Sequence, residues 1–224
     1  MFSLLILSLS LSLAWAALQS DLQLYSGPGR VSLRAEEGAV FVFLITPQHF
    51  NMTSTTSTTS SSGVLTYRAS QRGHPSLPAW VSLHHLQAQQ AGLLYGVPPS
   101  QGQTSLEVLA TNTDTFVTSK MVVSLHTQTR ANNRYQVRLK IDNLNIEDVF
   151  DETRKGRLLS LFKTRFWPEA AGDIHLSFAE SAIKVGGRRP LKPSSKDGVV
   201  VRLGSRYNFS SSLLDLDLET EPLR

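Results

Sequence analysis

A chain of 224 residues, 41% hydrophobic and 18% charged, has an ordinary globular composition and room for one large domain or two small ones. Its formal charge of +4 comes from dispersed Lys and Arg, with local pairs such as Arg188-Arg189 and no visible face-long basic stripe, which argues against nucleic-acid binding. Without a single cysteine the chain can hold neither a zinc–thiolate site nor a cysteine nucleophile, and cores of ordinary size must supply its stability.

The first residues form an apolar run from Leu4-Leu5-Ile6-Leu7 to Leu13, followed by Ala14 and Ala16 at the −3 and −1 positions of a cut after Ala16. This predicts a secretory signal peptide over 1–16, although no Lys or Arg precedes the apolar run. The run is diluted by serine and falls short of the ~20 residues needed to span a bilayer. No later stretch is apolar enough to do so, and the expected mature chain is soluble and secreted.

From Asp21 to Phe50 the pattern alternates through Val31 and Leu33, then becomes continuously apolar over Ala39-Val40-Phe41-Val42-Phe43-Leu44-Ile45. A short β-branched and aromatic run bracketed by Gly38 and Pro47 predicts a buried strand. Residues 51–63 are a Ser/Thr-rich loop with no apolar face to bury. Asn51-Met52-Thr53 opens that loop with an N-glycosylation sequon, where a bulky surface modification fits. Val64 to Ala69 and Ala79 to Leu83 predict further short strands, the second carrying Trp80, with a proline-rich turn over Gly73 to Pro78 between them. Leu94-Tyr95-Gly96 reads as a turn.

Ser105 to Thr127 is the clearest element. Leu106, Val108 and Ala110 alternate with Glu107 and Leu109, and Met121, Val123 and Leu125 alternate with Lys120, Val122 and Ser124. Thr111-Asn112-Thr113-Asp114 supplies turn chemistry between the two runs, so the stretch predicts a hairpin closing an all-β domain. Short strands at this spacing predict an antiparallel β-sandwich over 22–127.

After Thr127 the texture changes. Tyr135, Val137, Leu139 and Ile141 predict a half-buried strand, and Asn145 with Glu147 and Asp148 predicts a capped helix start. Ile146, Val149, Phe150, Leu158, Leu161 and Phe162 recur at helical spacing, with a break expected near Gly156. Asp173 to Ser181 and Asp197 to Gly204 predict two more strands, so 131–212 reads as a small α+β domain followed by a loose tail over 213–224. Asn208-Phe209-Ser210 is a second sequon.

No catalytic site is called for. The chain has no Gly-x-Ser-x-Gly elbow, phosphate loop or His-Glu-x-x-His, and its serines cluster in low-complexity tracts. His84-His85 places adjacent side chains on opposite strand faces, which is poor chelating geometry. Asp142 to Glu147 breaks the alternate-oxygen spacing of a calcium loop at Leu144 and lacks its glycine. Asn112 and Asp114 could offer a weak calcium contact, but turn formation explains them without one. No metal, cofactor or small-molecule substrate is implied.

Several motifs in order resemble the extracellular region of the sarcoglycan alpha/epsilon family. They are Gly73-His74-Pro75-Ser76-Leu77-Pro78-Ala79-Trp80, Leu94-Tyr95-Gly96, Glu107-Val108 to Ala110, Asn112 to Phe116 and Tyr135-Gln136. Ser181-Ala182, Gly186-Gly187-Arg188, Pro190-Leu191, Asp197-Gly198-Val199, Gly204-Ser205 and Phe209-Ser210 continue the series. The resemblance runs from about Val31 to Leu213, and the Gly-His-Pro and Leu-Pro-x-Trp spacing lies slightly nearer the alpha branch.

It implies a dystroglycan-type cadherin-like sandwich followed by the α+β domain, and a non-catalytic role in the sarcoglycan complex. That complex is part of the dystrophin–glycoprotein complex and links extracellular matrix to the actin cytoskeleton at the muscle cell membrane. The implied partners are the other sarcoglycans and dystroglycan, and the implied site residues are the glycosylation sites Asn51 and Asn208. The family's cysteine after the Phe-Ser pair is replaced in the region of Ser211 and Ser212. Family members continue to a membrane helix and cytoplasmic tail. Anchoring at the sarcolemma is therefore an expectation from the resemblance, and a secreted form is expected if the chain ends at Arg224. The alternative from the residues is a soluble calcium-dependent cadherin-like adhesion module.

Overall fold

The computed structural model describes residues 23–27, 29–50, 64–128, 133–188 and 196–214, in two compact units that divide after Thr129. The signal-peptide expectation, the Ser/Thr loop with Asn51 and the tail from residue 215 onward lie outside the described residues.

Unit 1 holds eight strands: β1 (Gln23–Gly27), β2 (Arg30–Glu36), β3 (Phe41–Ile45), β4 (Leu65–Gln71), β5 (Val81–Leu86), β6 (Ala91–Gly96), β7 (Gly102–Asn112) and β8 (Thr118–Gln128). They form a five-stranded sheet, β1-β2-β8-β7-β4, and a three-stranded sheet, β3-β6-β5. The period-two patterns decide which side of the larger sheet is inside. Val31, Leu33, Leu106, Val108, Ala110, Met121, Val123 and Leu125 are all buried, together with Phe41, Phe43, Ile45 and Leu94 from the smaller sheet. Burying each Leu or Phe side chain is worth roughly 1.5–3 kcal/mol, so this shared core holds the two sheets together.

The hairpin forms as the alternation predicts, with Leu106 opposite Val123 and Thr111 opposite Thr118. Its second strand closes the domain in sequence but lies inside the sheet in space. β8 pairs antiparallel with β7 and parallel with β2, from Arg30 opposite Val122 to Glu36 opposite Gln128. The other strand pairs of unit 1 are antiparallel. The order β3-β6-β5 against β8-β7-β4 is that of immunoglobulin-type Greek-key sandwiches, with β2 carried on the larger sheet beside the last strand.

Leu94-Tyr95-Gly96 is not a turn. All six residues of β6 are buried between β3 and β5, and a side chain on Gly96 would come within 2.1 Å of the Trp80 carbonyl oxygen. Glycine is required there by the close approach of the neighbouring backbone. Trp80 packs edge-on against Phe41, with ring centroids 6.2 Å apart.

Unit 2 runs β9 (Tyr135–Ile141), α1 (Ile146–Val149), α2 (Glu152–Leu161), β10 (His175–Ser181) and β11 (Val199–Ser205). Its antiparallel sheet has the order β10-β11-β9, and the central β11 buries six of its seven residues. The helical stretch does break, at Phe150-Asp151 and not near Gly156. Asp151 has an extended backbone, and its carboxylate accepts from the Arg154 N–H at 3.0 Å, which starts α2. Gly156 lies exposed in the helix, where nothing crowds it.

Asn145 precedes α1 as predicted, but its side-chain oxygen accepts from the Asp197 N–H at 2.9 Å and so ties the helix start to the approach of β11. Asp148 returns the favour within the helix, accepting from the Asn145 N–H at 2.9 Å. After α2 the chain widens into a π turn over Phe162–Phe166, closed by the Trp167 N–H to the Phe162 carbonyl. This wider turn sends Phe162, Phe166 and Trp167 into the core, whereas α2 itself buries no residue.

Candidate functional site

Asn208 follows β11 on an exposed corner of unit 2, where N-glycosylation requires it to be. The corner is held from beneath. The Trp167 indole N–H donates to the Asn208 carbonyl at 2.7 Å, and the fully buried Trp167 ring lies 5.4 Å from that of Phe209. Phe209 also meets Tyr135 edge-on at 5.2 Å, while 48% of its surface remains exposed. The Asn208 side-chain oxygen accepts from the Phe209 N–H at 2.8 Å, and Ser210 of the same sequon is buried. Ser211 and Ser212 thus follow a corner secured by aromatic packing and one indole hydrogen bond.

At the hairpin tip the Asn112 side-chain oxygen accepts from the backbone N–H groups of Asp114 and Thr115, at 2.9 and 3.0 Å. That is an Asx turn, and it engages the oxygen the sequence offered for a calcium contact. Phe116 stands 79% exposed beyond it with a φ of 58°. Among the described residues no group of three or more His, Cys, Asp or Glu is placed to hold a metal ion. His84 and His85 sit side by side on β5, the second stacked 6.5 Å from Tyr67. Burial pushes the Tyr67 hydroxyl up to about 12, and that hydroxyl donates to the Gln90 carbonyl at 2.8 Å.

The larger sheet turns the opposite parity of its strands outward. Arg30, Ser32 and Arg34 of β2, Lys120, Val122 and Ser124 of β8, Glu107 and Leu109 of β7 and Arg68 of β4 share this face. Arg72 joins them just past β4, where its backbone N–H donates to Ser105. A cavity of about 290 Å³ opens on this face, lined by Arg30, Arg72, Glu107, Lys120, Val122 and Ser124. One Glu107 oxygen receives Lys120 at 2.7 Å and Arg72 at 3.8 Å. The cations that look dispersed in sequence are thus gathered by strand pairing. Their signal was the period-two spacing of Arg30 and Arg34, and of Lys120 within its alternating strand. Which strands lie side by side was not readable.

Fold and surface together define a two-unit, mainly β protein: a Greek-key sandwich with a polar, basic outer sheet face, then an α+β unit with an exposed sequon. The model of the sarcoglycan alpha/epsilon N-terminal domain matches residues 32–127, and that of the sarcoglycan alpha/epsilon second domain matches residues 132–224. The chain belongs to the sarcoglycan alpha/epsilon family.

Rabbit (Oryctolagus cuniculus) alpha-sarcoglycan is 30% identical over 195 residues, covering 85% of this chain and 47% of that protein. The human (Homo sapiens) protein of the same name is 32% identical over 154 residues, covering 66% of this chain and 39% of its own length. The chain thus spans about half the length of these curated relatives or less. Among solved structures the titin M3 domain aligns at 16% identity with a TM-score of 0.31, over 47% of this chain and 94% of its own, a likeness too distant to bear on fold or function. Among the described residues no helix is long and apolar enough to cross a membrane.

Proposed function

We propose that this protein is a non-catalytic extracellular component of the sarcoglycan complex within the dystrophin–glycoprotein complex. It acts there with the other sarcoglycans and dystroglycan in linking extracellular matrix to the actin cytoskeleton at the muscle cell membrane. The observation that carries this reading is the succession of both family domains, in order, over residues 32–127 and 132–224. In this reading 22–127 is the cadherin-like domain, 131–212 the α+β domain, and residues 1–16 are removed on secretion. Asn51 and Asn208 carry glycans, and the exposure of Asn208 supports that assignment at the second site.

The role is protein–protein contact on a rigid β-scaffold, with no cofactor. The test is expression of the tagged full chain in cultured muscle cells, followed by purification under mild detergent. Recovery of other sarcoglycans and dystroglycan, and a mobility increase on glycosidase treatment that shrinks in Asn51→Gln and Asn208→Gln, are the expected results. A chain that is unglycosylated and recovers none of these partners overturns the reading.

A further inference from the structure

The outer face of the five-stranded sheet carries more positive charge than folding needs. Arg30, Arg34, Arg68, Arg72 and Lys120 stand on it against the carboxylates of Glu36 and Glu107. All five cations are exposed, and Arg30, Arg34 and Arg68 make no ion pair among the described residues. Like charges collected on one face cost stability through mutual repulsion and create a field that attracts anions.

The shape suits such a ligand. Val122 and Ser124 are short, and the long side chains of Arg30, Arg72 and Lys120 rise around them to leave the 290 Å³ cavity. The strand beneath is locked on both sides, since β8 pairs with β7 at ten of its eleven residues and with β2 at seven. By register Arg30 and Arg34 lie four residues, about 13 Å, apart on β2, and Arg68 on β4 lies level with Lys120 across the intervening β7. Strand pairing fixes these backbone positions before any ligand arrives, so the ordering left to oppose binding is that of the exposed side chains.

We propose that this face binds a linear sulfated polysaccharide, with a sulfate group entering the cavity between Arg30 and Arg72 and the chain continuing across the sheet toward Arg34 and Arg68. Guanidinium groups recognise sulfate oxygens through paired, charge-assisted hydrogen bonds, and the neighbouring serine hydroxyls suit a ligand rich in hydroxyls. An acidic protein is the poorer fit. Protein interfaces do favour Arg, but their hot spots cluster in well-packed, desolvated pockets that also draw on large aromatic groups. Among the described side chains this face offers only Leu109, 39% exposed, as a large apolar contact of that kind.

Glu107 gives the proposal a sign that can be checked. Its carboxylate holds Lys120 and Arg72 at the cavity, yet its own charge opposes an anion there. Glu107→Gln should therefore tighten polysaccharide binding, whereas a purely structural Glu107 would make the same change neutral or harmful.

The experiment uses the full chain secreted from mammalian cells, with a size-defined heparin octasaccharide as the probe and binding measured by calorimetry at two salt concentrations. Binding that weakens steeply with salt is expected. So are at least a ~10-fold loss in Arg30→Ala/Arg72→Ala and a gain of about threefold in Glu107→Gln. Arg154→Ala/Arg157→Ala, which removes exposed cations of α2, should bind as the unmodified chain does. If the double alanine variant melts early, Arg30→Gln alone reads the same face.

The proposal is overturned if the octasaccharide does not bind, if the sheet variants bind unchanged, or if Glu107→Gln weakens binding. Equal competition by poly-L-glutamate also overturns it and assigns the face to an acidic protein. The inference rests on the sheet and not on assembly with other sarcoglycans, so failure of the co-purification leaves it standing.

Discussion

The two units place their largest buried side chains on different kinds of backbone. Unit 1 takes its core from regular structure, because alternating strands of two sheets turn every second residue toward a common interior. Among its described residues unit 2 has a single three-stranded sheet, and its longest helix, α2, buries nothing. Beside the buried residues of β11, its large buried aromatic groups come from irregular backbone: Phe162, Phe166 and Trp167 from the turn where that helix ends and Phe150 from the break before it. A sandwich can spread a loss over many similar contacts, whereas a small sheet under a few aromatic rings depends on each of them.

The most severe way to break the comparison is Trp167→Ala. It should cost unit 2 about 3–5 kcal/mol from lost burial alone, plus the hydrogen bond to Asn208. Hydrogen exchange should then show β9 and β11 losing protection while β7 and β8 keep theirs. Equal loss in both units would mean that they unfold as one.

Gly96→Ala is the mirror experiment. A new Cβ placed 2.1 Å from the Trp80 carbonyl forces the backbones of β5 and β6 apart, and about 3 kcal/mol should be lost from unit 1. A calorimetric scan should show the unit 1 transition moving down and the unit 2 transition holding its place. Next in size, Asp151→Ala removes the cap of α2 and should cost about 1 kcal/mol, read as faster exchange at the Arg154 amide.

Titration separates the units at the smallest scale. Burial raises the Tyr67 hydroxyl of unit 1 from 10.0 to about 12. Its contribution is therefore complete below pH 10 and fades as pH rises toward 12. Burial also lowers His49, against the opposing hydrogen bond from Thr46, so that unit 1 weakens as pH falls below 6.5. In unit 2 burial acts to raise Asp148, but hydrogen bonds from Asn145 and Lys196 and the charges of Arg154 and Lys196 outweigh it and hold the carboxyl low.

Asp173 is held low in the same way by Ser205 and Arg206, again against burial. These contributions are present above 3.8 and are lost as pH falls through the lowered values. Melting followed from pH 7 to 3 should therefore show unit 1 softening first, and a reversed order would sink this assignment.

Much of unit 1 was legible because a half-buried strand writes its two faces directly into alternate residues, as Leu106 to Ala110 and Met121 to Leu125 do. The parallel pairing of β2 with β8 was not legible, since nothing in either strand names a partner more than eighty residues away. Leu94-Tyr95-Gly96 misleads for a related reason. Its glycine looks like a turn residue until Trp80 is seen to approach it. In unit 2 the helical period was plain, but the break moved to Asp151 because a cap with a satisfied N–H decides a helix start more strongly than an exposed glycine decides its end. The sequons could be read by rule, whereas the basic face could not, because its cations belong to separate strands.

The parallel pair has a mechanical consequence. β2 and β8 run in the same direction along seven paired positions, from Arg30 beside Val122 to Glu36 beside Gln128. Tension applied at Arg30 and at Gln128 slides one strand along the other, and the bridging hydrogen bonds must yield together. Tension applied at Glu36 and Gln128, which lie at the same end, opens them one at a time. Single-molecule pulling through these two attachment pairs should give the higher rupture force for the first. A protein joined to its neighbours at both ends of this sandwich would then meet tension in its stiffest direction.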